Sequence, residues 1–232
     1  MAPRPKTQRT SPAKRDEFEA REAVLLTALT MSALGLSPGR SGNVSMRYGE
    51  GMLITPTGMI YEELEPAGIA FVGHDGTVAK GSRKPSSEWH FHLAAYAARP
   101  DRHALVHTHS THATVLACAH KPIPAFHYMV ACAGGNDIPL VPYATFGTPE
   151  LARHVTTGLA NRDACLMANH GLIAIGRDLA GALELAAEVE SLAEQYIKVL
   201  ALGPANILSD TEMAIVLEKF KTYGQRAQSA QP

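Results

Sequence analysis

The sequence is poor in cysteine and contains no long apolar run, and each shortage excludes a class of protein. Its three cysteines, at positions 118, 132 and 165, are odd in number and lack the paired spacing of a zinc finger. They argue against a disulfide-stapled scaffold and are typical of reduced thiols in a cytoplasmic protein. The most apolar stretch, residues 23–36, is interrupted by threonine and serine and is too short to span a bilayer.

The chain also has almost no net charge. Its 21 lysine and arginine residues nearly balance 22 aspartate and glutamate residues, which gives a formal net charge of −1. This balance provides no electrostatic reason to expect nucleic acid or a membrane surface as a partner. No apolar signal segment is found near the N-terminus, so we expect a cytoplasmic location. The length of 232 residues and the 46% of hydrophobic residues are typical of one globular domain.

The two ends of the chain differ in composition from the rest. Residues 1–15 contain five basic residues, three prolines and no acidic residue. Prolines disfavour an amphipathic targeting helix, so this composition predicts a disordered basic tail. Residues 227–232 are polar and predict a second, flexible tail. We therefore expect one folded domain over residues 16–226.

Hydrophobic periodicity between the tails predicts a mixture of helices and strands. The predicted helices cover residues 16–36, 111–119, 149–159, 178–202 and 210–222, and another, capped by Ser86 or Ser87, ends near residue 98. The predicted strands cover residues 43–46, 51–54, 69–72, 105–109, 138–141, 164–168 and 172–175. Asp210 is expected to cap the last helix. Strands in the middle, with helices before, between and after them, predict an α/β protein with a single three-layer α/β/α domain.

Residues 105–109, Leu-Val-His-Thr-His, predict an apolar strand that ends in two histidines. Side chains at i and i+2 of a strand point to the same face, so His107 and His109 are expected to emerge together. Two adjacent imidazoles form half of a zinc-type site, although a pair of ordinary strand-end histidines is an equally good interpretation. A third candidate, His170, lies in an Asn-His-Gly turn. Five further histidines lack ligand spacing with the pair and are interpreted as structural or exposed: His90, His92, His112, His120 and His154.

Several motifs together resemble the class II aldolase/adducin family, and within it most closely the fuculose-phosphate aldolase branch. The matching stretches are residues 41–45, 53–58, 85–88, 107–109, 127–129, 134–136, 142–147, 169–172 and 218–224. They occur in the family's order, and the resemblance extends over residues 16–226. The His-Tyr-Met stretch at 127–129 and the Lys-Thr-Tyr-Gly stretch at 221–224 are its more specific marks.

The resemblance implies a central, mostly antiparallel sheet and a metal-dependent aldolase, usually with one Zn2+ per subunit. His107, His109 and His170 are the implied ligands, with Mn2+ or Co2+ as alternative ions. Three neutral imidazoles leave a fourth position open, which is the pattern of a catalytic rather than a structural zinc site. Glu88 is implied to occupy that position, to leave when substrate arrives and to act as general acid/base. The alternative interpretation of Glu88 is a first-turn acid that stabilises a helix dipole, although the three histidines beside it favour the catalytic role.

The resemblance also implies where substrate binds. Six residues in compact turns or at a helix N-terminus are the implied phosphate donors: Gly42, Asn43, Thr57, Gly58, Ser86 and Ser87. Tyr128 is implied to protonate or stabilise the oxygen of the departing aldehyde. Taken without its neighbours, it predicts instead a buried aromatic in an apolar strand. Phe146 is implied to line the aldehyde pocket, and Tyr223 to close over the site from a neighbouring subunit.

The implied reaction is reversible cleavage of a ketose 1-phosphate, with L-fuculose 1-phosphate as leading candidate, to dihydroxyacetone phosphate and a short aldehyde such as L-lactaldehyde. The implied assembly is a homotetramer with active sites at subunit interfaces. Aldolases for 5-deoxy or methylthio pentulose phosphates, and sugar-phosphate epimerases or decarboxylases of the same family, are alternatives, because the metal site does not discriminate among them. A non-catalytic module of the adducin type is disfavoured, since the three histidines and Glu88 are all present.

Overall fold

The computed structural model describes residues 12–39 and 41–221, and the side chains from residue 16 onwards in those ranges. Tyr223, the C-terminal tail and residues 1–11 of the basic tail lie outside the described residues, so the expectations about them stay predictions. The α-helices are α1 (Pro12–Ala33), α2 (Trp89–Ala98), α3 (Thr111–Cys118), α4 (Pro149–Gly158), α5 (Leu179–Leu202) and α6 (Asp210–Phe220). The strands are β1 (Asn43–Tyr48), β2 (Gly51–Ile54), β3 (Ala70–Gly73), β4 (Ala104–Thr108), β5 (Ile123–Pro124), β6 (Asp137–Ile138), β7 (Leu140–Val141), β8 (Ala164–Met167) and β9 (Gly171–Gly176).

A seven-stranded sheet forms the centre of the domain, in the order β3-β2-β1-β4-β9-β8-β7. Its neighbouring strands are antiparallel except β7 and β8, which run parallel. Strand β4 lies in the middle of the sheet between β1 and β9, and its His107 pairs with Asn43 on one side and Ile173 on the other. The prediction of a mostly antiparallel central sheet is confirmed.

Helices cover both faces of the sheet, because the central strands are apolar on both sides. On β4, Val106 packs into the core beneath α1, α3 and α5, whereas Leu105 packs into the core beneath α2 and α4. Successive residues of a strand point to opposite faces, so an uninterrupted apolar run is the expected sequence of a strand buried on both sides. The α/β/α layering predicted from the sequence is therefore confirmed, and it fixes which strand ends reach the same edge.

Some predicted elements differ from the observed ones. The predicted strand at 138–141 is two strands, β6 and β7, which lie in different sheets. Helix α1 begins at Pro12 and ends at Ala33, rather than covering 16–36. Residues Tyr128–Ala133 form a 3-10 helix that the sequence did not indicate. Among the residues described, none of the helices is both long and apolar enough to cross a membrane.

Candidate metal centre and its surroundings

His107 and His109 come from the end of β4, as the alternation of strand side chains predicts. His107 lies within β4 and is fully buried, and His109 follows the last residue of the strand. The Nδ1 atom of His107 donates to the carbonyl of Leu172 on β9 at 2.9 Å. That bond fixes the tautomer, so Nε2 of a neutral His107 carries a lone pair that points towards His109. The Nε2 atoms of the two rings are 3.0 Å apart.

His170 joins them from the turn that connects β8 to β9. Asn169 has the left-handed backbone conformation there, with φ of 55°, which asparagine tolerates better than most residues. Its side-chain oxygen accepts a hydrogen bond from Nε2 of His120 at 2.7 Å, which holds the turn against the end of α3. The ring of His170 lies 4.9 Å, centre to centre, from each of the rings of His107 and His109.

The three histidines fit a divalent ion. Their ligand nitrogens lie within 4.8 Å of one another. In a tetrahedral zinc site with bonds of roughly 2.0–2.1 Å, ligand atoms are about 3.4 Å apart, so only small movements separate this cluster from that geometry. Burial, followed by the neighbouring His107 and His170, lowers the pKa of His109 to about 3. His109 is therefore a neutral imidazole near neutral pH, as a metal ligand must be.

Glu88 approaches the histidine cluster from the N-terminal end of α2. It is the N-cap residue of α2 and is only 7% exposed. Its Oε2 lies 3.3 Å from Nε2 of His107, and its Oε1 lies 3.1 Å from Nε2 of His170. Burial alone raises the pKa of Glu88, but His107 and His170 outweigh it and hold the pKa of this carboxyl well below its usual range. The structure therefore brings an ionised carboxylate to the open side of the three histidines.

The two serines expected to cap α2 do not do so. The N-cap position belongs to Glu88, which makes no capping hydrogen bond with its side chain. Ser86 is buried, and its hydroxyl accepts from the backbone N–H of Glu88 at 3.3 Å, whereas Ser87 is exposed. The serines therefore form the turn that delivers Glu88 to the site. The predicted cap of the last helix is also wrong, since Ser209, one residue before Asp210, caps α6.

Four of the six predicted phosphate residues lie on two segments that meet beside Glu88. Backbone bonds run from the N–H of Thr57 to the carbonyl of Lys84 at 3.1 Å and from the N–H of Ser86 to the carbonyl of Thr55 at 3.0 Å. They hold residues 55–58, including Gly58, against residues 84–87. The structure thus brings Thr57, Gly58, Ser86 and Ser87 to one edge of the sheet.

Gly42 precedes β1 at a point where no side chain fits. Its φ is +84°, and a Cβ built there lies 2.7 Å from the carbonyl oxygen of His107. The hydroxyl of Tyr61 donates to the carbonyl of Gly42 at 2.8 Å and holds this turn in place. The next residue, Asn43, donates from Nδ2 to Oε2 of Glu88 at 2.9 Å. The Gly-Asn turn therefore lies directly against the histidine and carboxylate groups.

Asn43 also reveals a residue that the sequence analysis missed. Its Oδ1 is hydrogen-bonded to Nε2 of His92, which is completely buried and was interpreted as structural or exposed. The available signal was the spacing of Glu88 and His92, because residues four apart share one face of a helix. His92 in turn contacts Ser45, and Ser45 contacts Tyr96.

Tyr128 and Phe146, the predicted aldehyde-side residues, are both exposed. Tyr128 opens the 3-10 helix and is 47% exposed, so the alternative of a buried aromatic in a strand is wrong. Phe146 is 63% exposed. The residue after it, Gly147, approaches Ser87 so closely that a Cβ would lie 2.9 Å from the carbonyl of Ser87. The loop carrying Phe146 therefore crosses the segment that precedes Glu88.

Comparison with known proteins agrees with this geometry. The profile of the Class II Aldolase and Adducin N-terminal domain matches residues 22–197. The chain is 54% identical over 204 residues to the L-fuculose phosphate aldolase of Escherichia coli O6:H1, covering 88% of this chain and 94% of that protein. It is 53% identical over 212 residues to the 5-methylthioribulose-1-phosphate/5-deoxyribulose-1-phosphate aldolase of Rhodospirillum rubrum, covering 91% and 96%. A solved structure named L-fuculose 1-phosphate aldolase matches with a TM-score of 0.84 and 38% identity, covering 88% and 96%.

These matches extend over nearly the full length of the relatives and include every element that positions the histidines. Aldolases of this class depend on a metal ion, and the three-histidine cluster supplies a site for one. The chain therefore belongs to the class II aldolase and adducin family and is an enzyme of the aldolase type, a lyase.

Proposed function

We propose that the protein reversibly cleaves a ketose 1-phosphate to dihydroxyacetone phosphate and a short aldehyde, with L-fuculose 1-phosphate as the leading substrate. The observation that carries this proposal is the cluster of three histidine nitrogens, two of which lie beside the buried carboxylate of Glu88. A carbon–carbon bond next to a ketone breaks when the ketone is polarised and a proton is moved nearby. The histidine cluster would hold the ion that polarises the ketone, and Glu88 would move the proton.

His107, His109 and His170 would hold the ion, for which we propose Zn2+, with Mn2+ or Co2+ as alternatives. Neutral imidazoles suit all three ions, and availability as well as affinity decides among them. When bound, the ion supplies Lewis-acid polarisation of the substrate carbonyl and stabilises the negative charge that develops as the bond breaks. The bond from His107 to Leu172 orients one ligand before any ion arrives.

Glu88 and Tyr128 are proposed to move the two protons. In the direction of synthesis, the carboxylate of Glu88 removes a proton from the hydroxymethyl carbon of dihydroxyacetone phosphate. The new carbon–carbon bond forms at that carbon, and the hydroxyl of Tyr128 donates its proton to the aldehyde oxygen. Cleavage is the reverse of these transfers. The lowered pKa of Glu88 keeps its carboxylate unprotonated at neutral pH, so an oxygen is available to accept the proton.

The phosphate is proposed to bind at the edge formed by residues 42–43, 55–58 and 84–87. Compact turns offer backbone N–H groups without bulky side chains in the way. Gly42 and Gly58 both have positive φ, which is typical of such turns. Ser87 is exposed beside them. Asn43 donates one N–H of its amide to Glu88, and the second N–H of that group is proposed to donate to the anion.

The aldehyde half is proposed to meet Tyr128, Phe146 and Tyr223. Apolar contacts of this kind discriminate by only ~1–3 kcal/mol per methylene, so the identity of the aldehyde is less strictly fixed than the phosphate half. A second candidate substrate, 5-methylthioribulose or 5-deoxyribulose 1-phosphate, is favoured by the relative from Rhodospirillum rubrum at 53% identity. Both candidates release dihydroxyacetone phosphate.

We further propose a homotetramer with active sites at subunit interfaces, located in the cytoplasm. The exposure of Tyr128 and Phe146 supports an interface, because large aromatic side chains are usually covered when a protein assembles. The three free cysteines support a reducing compartment. Sedimentation of the active protein tests the assembly, and full activity in a monomer would contradict it.

One assay tests the reaction. The zinc-loaded protein is incubated with L-fuculose 1-phosphate, 5-deoxyribulose 1-phosphate, 5-methylthioribulose 1-phosphate and, as a control, a pentulose 5-phosphate. Release of dihydroxyacetone phosphate is followed by its reduction with NADH and glycerol-3-phosphate dehydrogenase. We expect release from at least one of the ketose 1-phosphates. Epimerisation of the pentulose 5-phosphate without any release of dihydroxyacetone phosphate would overturn the aldolase assignment.

A further inference from the structure

A chain of buried side chains runs from Tyr96 to Glu88. Tyr96 OH lies 2.8 Å from Ser45 Oγ, and Ser45 Oγ lies 2.6 Å from Nδ1 of His92. Nε2 of His92 is bonded to Oδ1 of Asn43, and Nδ2 of Asn43 is bonded to Oε2 of Glu88 at 2.9 Å. All five residues are buried. A buried network of connected hydrogen bonds of this kind specifies one arrangement of its members.

The chemistry of each group fixes the direction of every hydrogen bond in this chain. An ionised Glu88 only accepts, so Asn43 must present its NH2 group to Glu88 and its oxygen to His92. Nε2 of His92 must then donate, which leaves Nδ1 of a neutral imidazole as an acceptor for the hydroxyl of Ser45. The only proton of the Ser45 hydroxyl is donated to Nδ1 of His92, so the hydroxyl of Tyr96 must donate to Oγ of Ser45. Every proton points towards Glu88, and exchanging the two ends of the Asn43 amide would break two bonds at once.

His92 meets the condition for this arrangement, because it stays neutral. Burial, followed by the nearby His107, lowers the pKa of His92 to about 3. It comes from α2, one helical turn after Glu88, so the two residues share a rigid support. The carboxylate is consequently held by one oxygen. Among the described residues, no hydrogen-bond donor satisfies the other oxygen, Oε1, which lies 3.1 Å from Nε2 of His170.

We propose that His92 is a positioning residue for Glu88: by fixing the amide of Asn43, it restrains Oε2 and leaves Oε1 for the ion or for a proton. This inference rests on the proposed role of Glu88. It assigns to His92 no contact with substrate or metal ion. Partners one step removed from a metal ligand typically change affinity or activity by ~10–100-fold when they are lost.

The test compares H92L, which removes both ring nitrogens, with H92Q, whose amide N–H can replace Nε2. We expect H92L to lower kcat ~10–100-fold, with KM for the ketose phosphate changed less than about threefold, and to weaken zinc binding measurably but by no more than E88A does. H92Q should recover most of both losses. The packing control is L151A, which removes a buried side chain of α4 in the same core and should lower the melting temperature without changing zinc affinity.

The decisive measurement is a double-mutant cycle on the zinc dissociation constant, obtained by competition with a chromogenic chelator. His92 acts through Glu88 in this proposal, so H92L should have almost no effect on zinc affinity in an E88A background. An equal loss in both backgrounds would show that His92 only supports the fold, and would overturn the proposal. The cycle needs no substrate, so it stands even where the wild-type protein cleaves no ketose 1-phosphate, the outcome that would defeat the proposed function instead.

A second measurement covers the case in which H92L does not fold. In the 15N NMR spectrum of histidine-labelled wild-type holoenzyme, the ring resonances absent from H92Q belong to His92. We expect a proton on Nε2 and none on Nδ1, unchanged from pH 6 to pH 9. A proton on Nδ1 would reverse the direction of the chain and overturn the proposal.

Discussion

Nε2 of His107 and Oε2 of Glu88 face each other at 3.3 Å, although neither has a proton to donate when His107 is neutral. His107 uses its N–H on the carbonyl of Leu172, and Glu88 is an ionised carboxylate. Two lone-pair atoms at this distance repel each other unless a proton or a metal cation joins them. This contact therefore favours the binding of a metal cation, or of a proton, between Nε2 of His107 and Oε2 of Glu88.

Purified protein should contain close to one divalent ion per chain, and H170A should contain almost none. Removing one of three neutral nitrogen ligands leaves too few protein donors for a catalytic site. Metal content is measured by mass spectrometry after gel filtration, and activity is followed through chelation and reconstitution. H154A is the control, because His154 lies on α4, is only partly buried and donates to the carbonyl of Pro142. Equal metal in H170A and H154A would contradict the three-histidine site.

E88Q should keep the fold and most of the metal affinity but lose nearly all turnover. The amide is almost isosteric with the carboxyl group yet takes up no proton at neutral pH, and general acid/base contributions are typically ~10²–10⁴-fold. Steady-state rates and metal content are measured on the same sample. Wild-type turnover would mean that Glu88 only begins its helix, whereas a parallel loss of metal would make it a structural ligand.

Much of this site was predictable from local sequence. The i, i+2 spacing of His107 and His109 needs only the alternation of a strand, and β4 has it. His170 was predictable as a turn residue because glycine and asparagine surround it. Layering was predictable as well, since uninterrupted apolar runs identify strands that are covered on both faces.

The errors arose where the outcome depended on distant contacts. The cap of α2 falls on Glu88 because the hydrogen bonds of residues 84–87 to residues 55–57 displace the serines from the helix. The role of His92 depends on Asn43 and Ser45, which reach it from β1 across the sheet, more than 40 residues away. Periodicity within α2 alone marks His92 as a buried position and gives no partner for it.

G42A should lose both stability and substrate affinity. A non-glycine residue at φ of +84° is strained, and its Cβ would collide with the carbonyl of His107. Such strain costs ~1–3 kcal/mol, and the clash adds to it by separating β1 from β4. G49A is a matched control, since Gly49 also has positive φ but nothing lies within 4 Å of a Cβ there. Denaturant unfolding and KM are measured for both. Equal changes in stability and KM for G42A and G49A would contradict the proposed effect of the close approach between Gly42 and the carbonyl of His107.

His92 should make the stability of the metal-free protein depend on pH. Its pKa is about 3 when folded and close to 6.5 when unfolded, so the unfolded chain binds an extra proton between these values. The stability from keeping His92 neutral is complete above about pH 6.5 and is lost as pH falls towards 3. H92Q should therefore show a flatter slope, by up to about 1.4 kcal/mol per pH unit, in urea unfolding from pH 7 to pH 4.5. Parallel curves for the two proteins would show that His92 takes up its proton equally in the folded and unfolded states, which would contradict a lowered pKa.

Y128F should slow cleavage of the ketose phosphate while sparing proton exchange on dihydroxyacetone phosphate. In the proposed mechanism, exchange at the hydroxymethyl carbon requires only Glu88 and the ion, whereas cleavage also requires a group that moves the proton of the aldehyde oxygen. The exposed position of Tyr128 on its 3-10 helix makes the loss of one hydroxyl inexpensive for folding. Exchange is followed by loss of the proton NMR signal in deuterium oxide, and cleavage by the coupled NADH assay. Y143F is the control, because Tyr143 is similarly exposed on another segment. If exchange and cleavage fall together in Y128F, then Tyr128 does not act on the aldehyde side, and another residue must supply that proton.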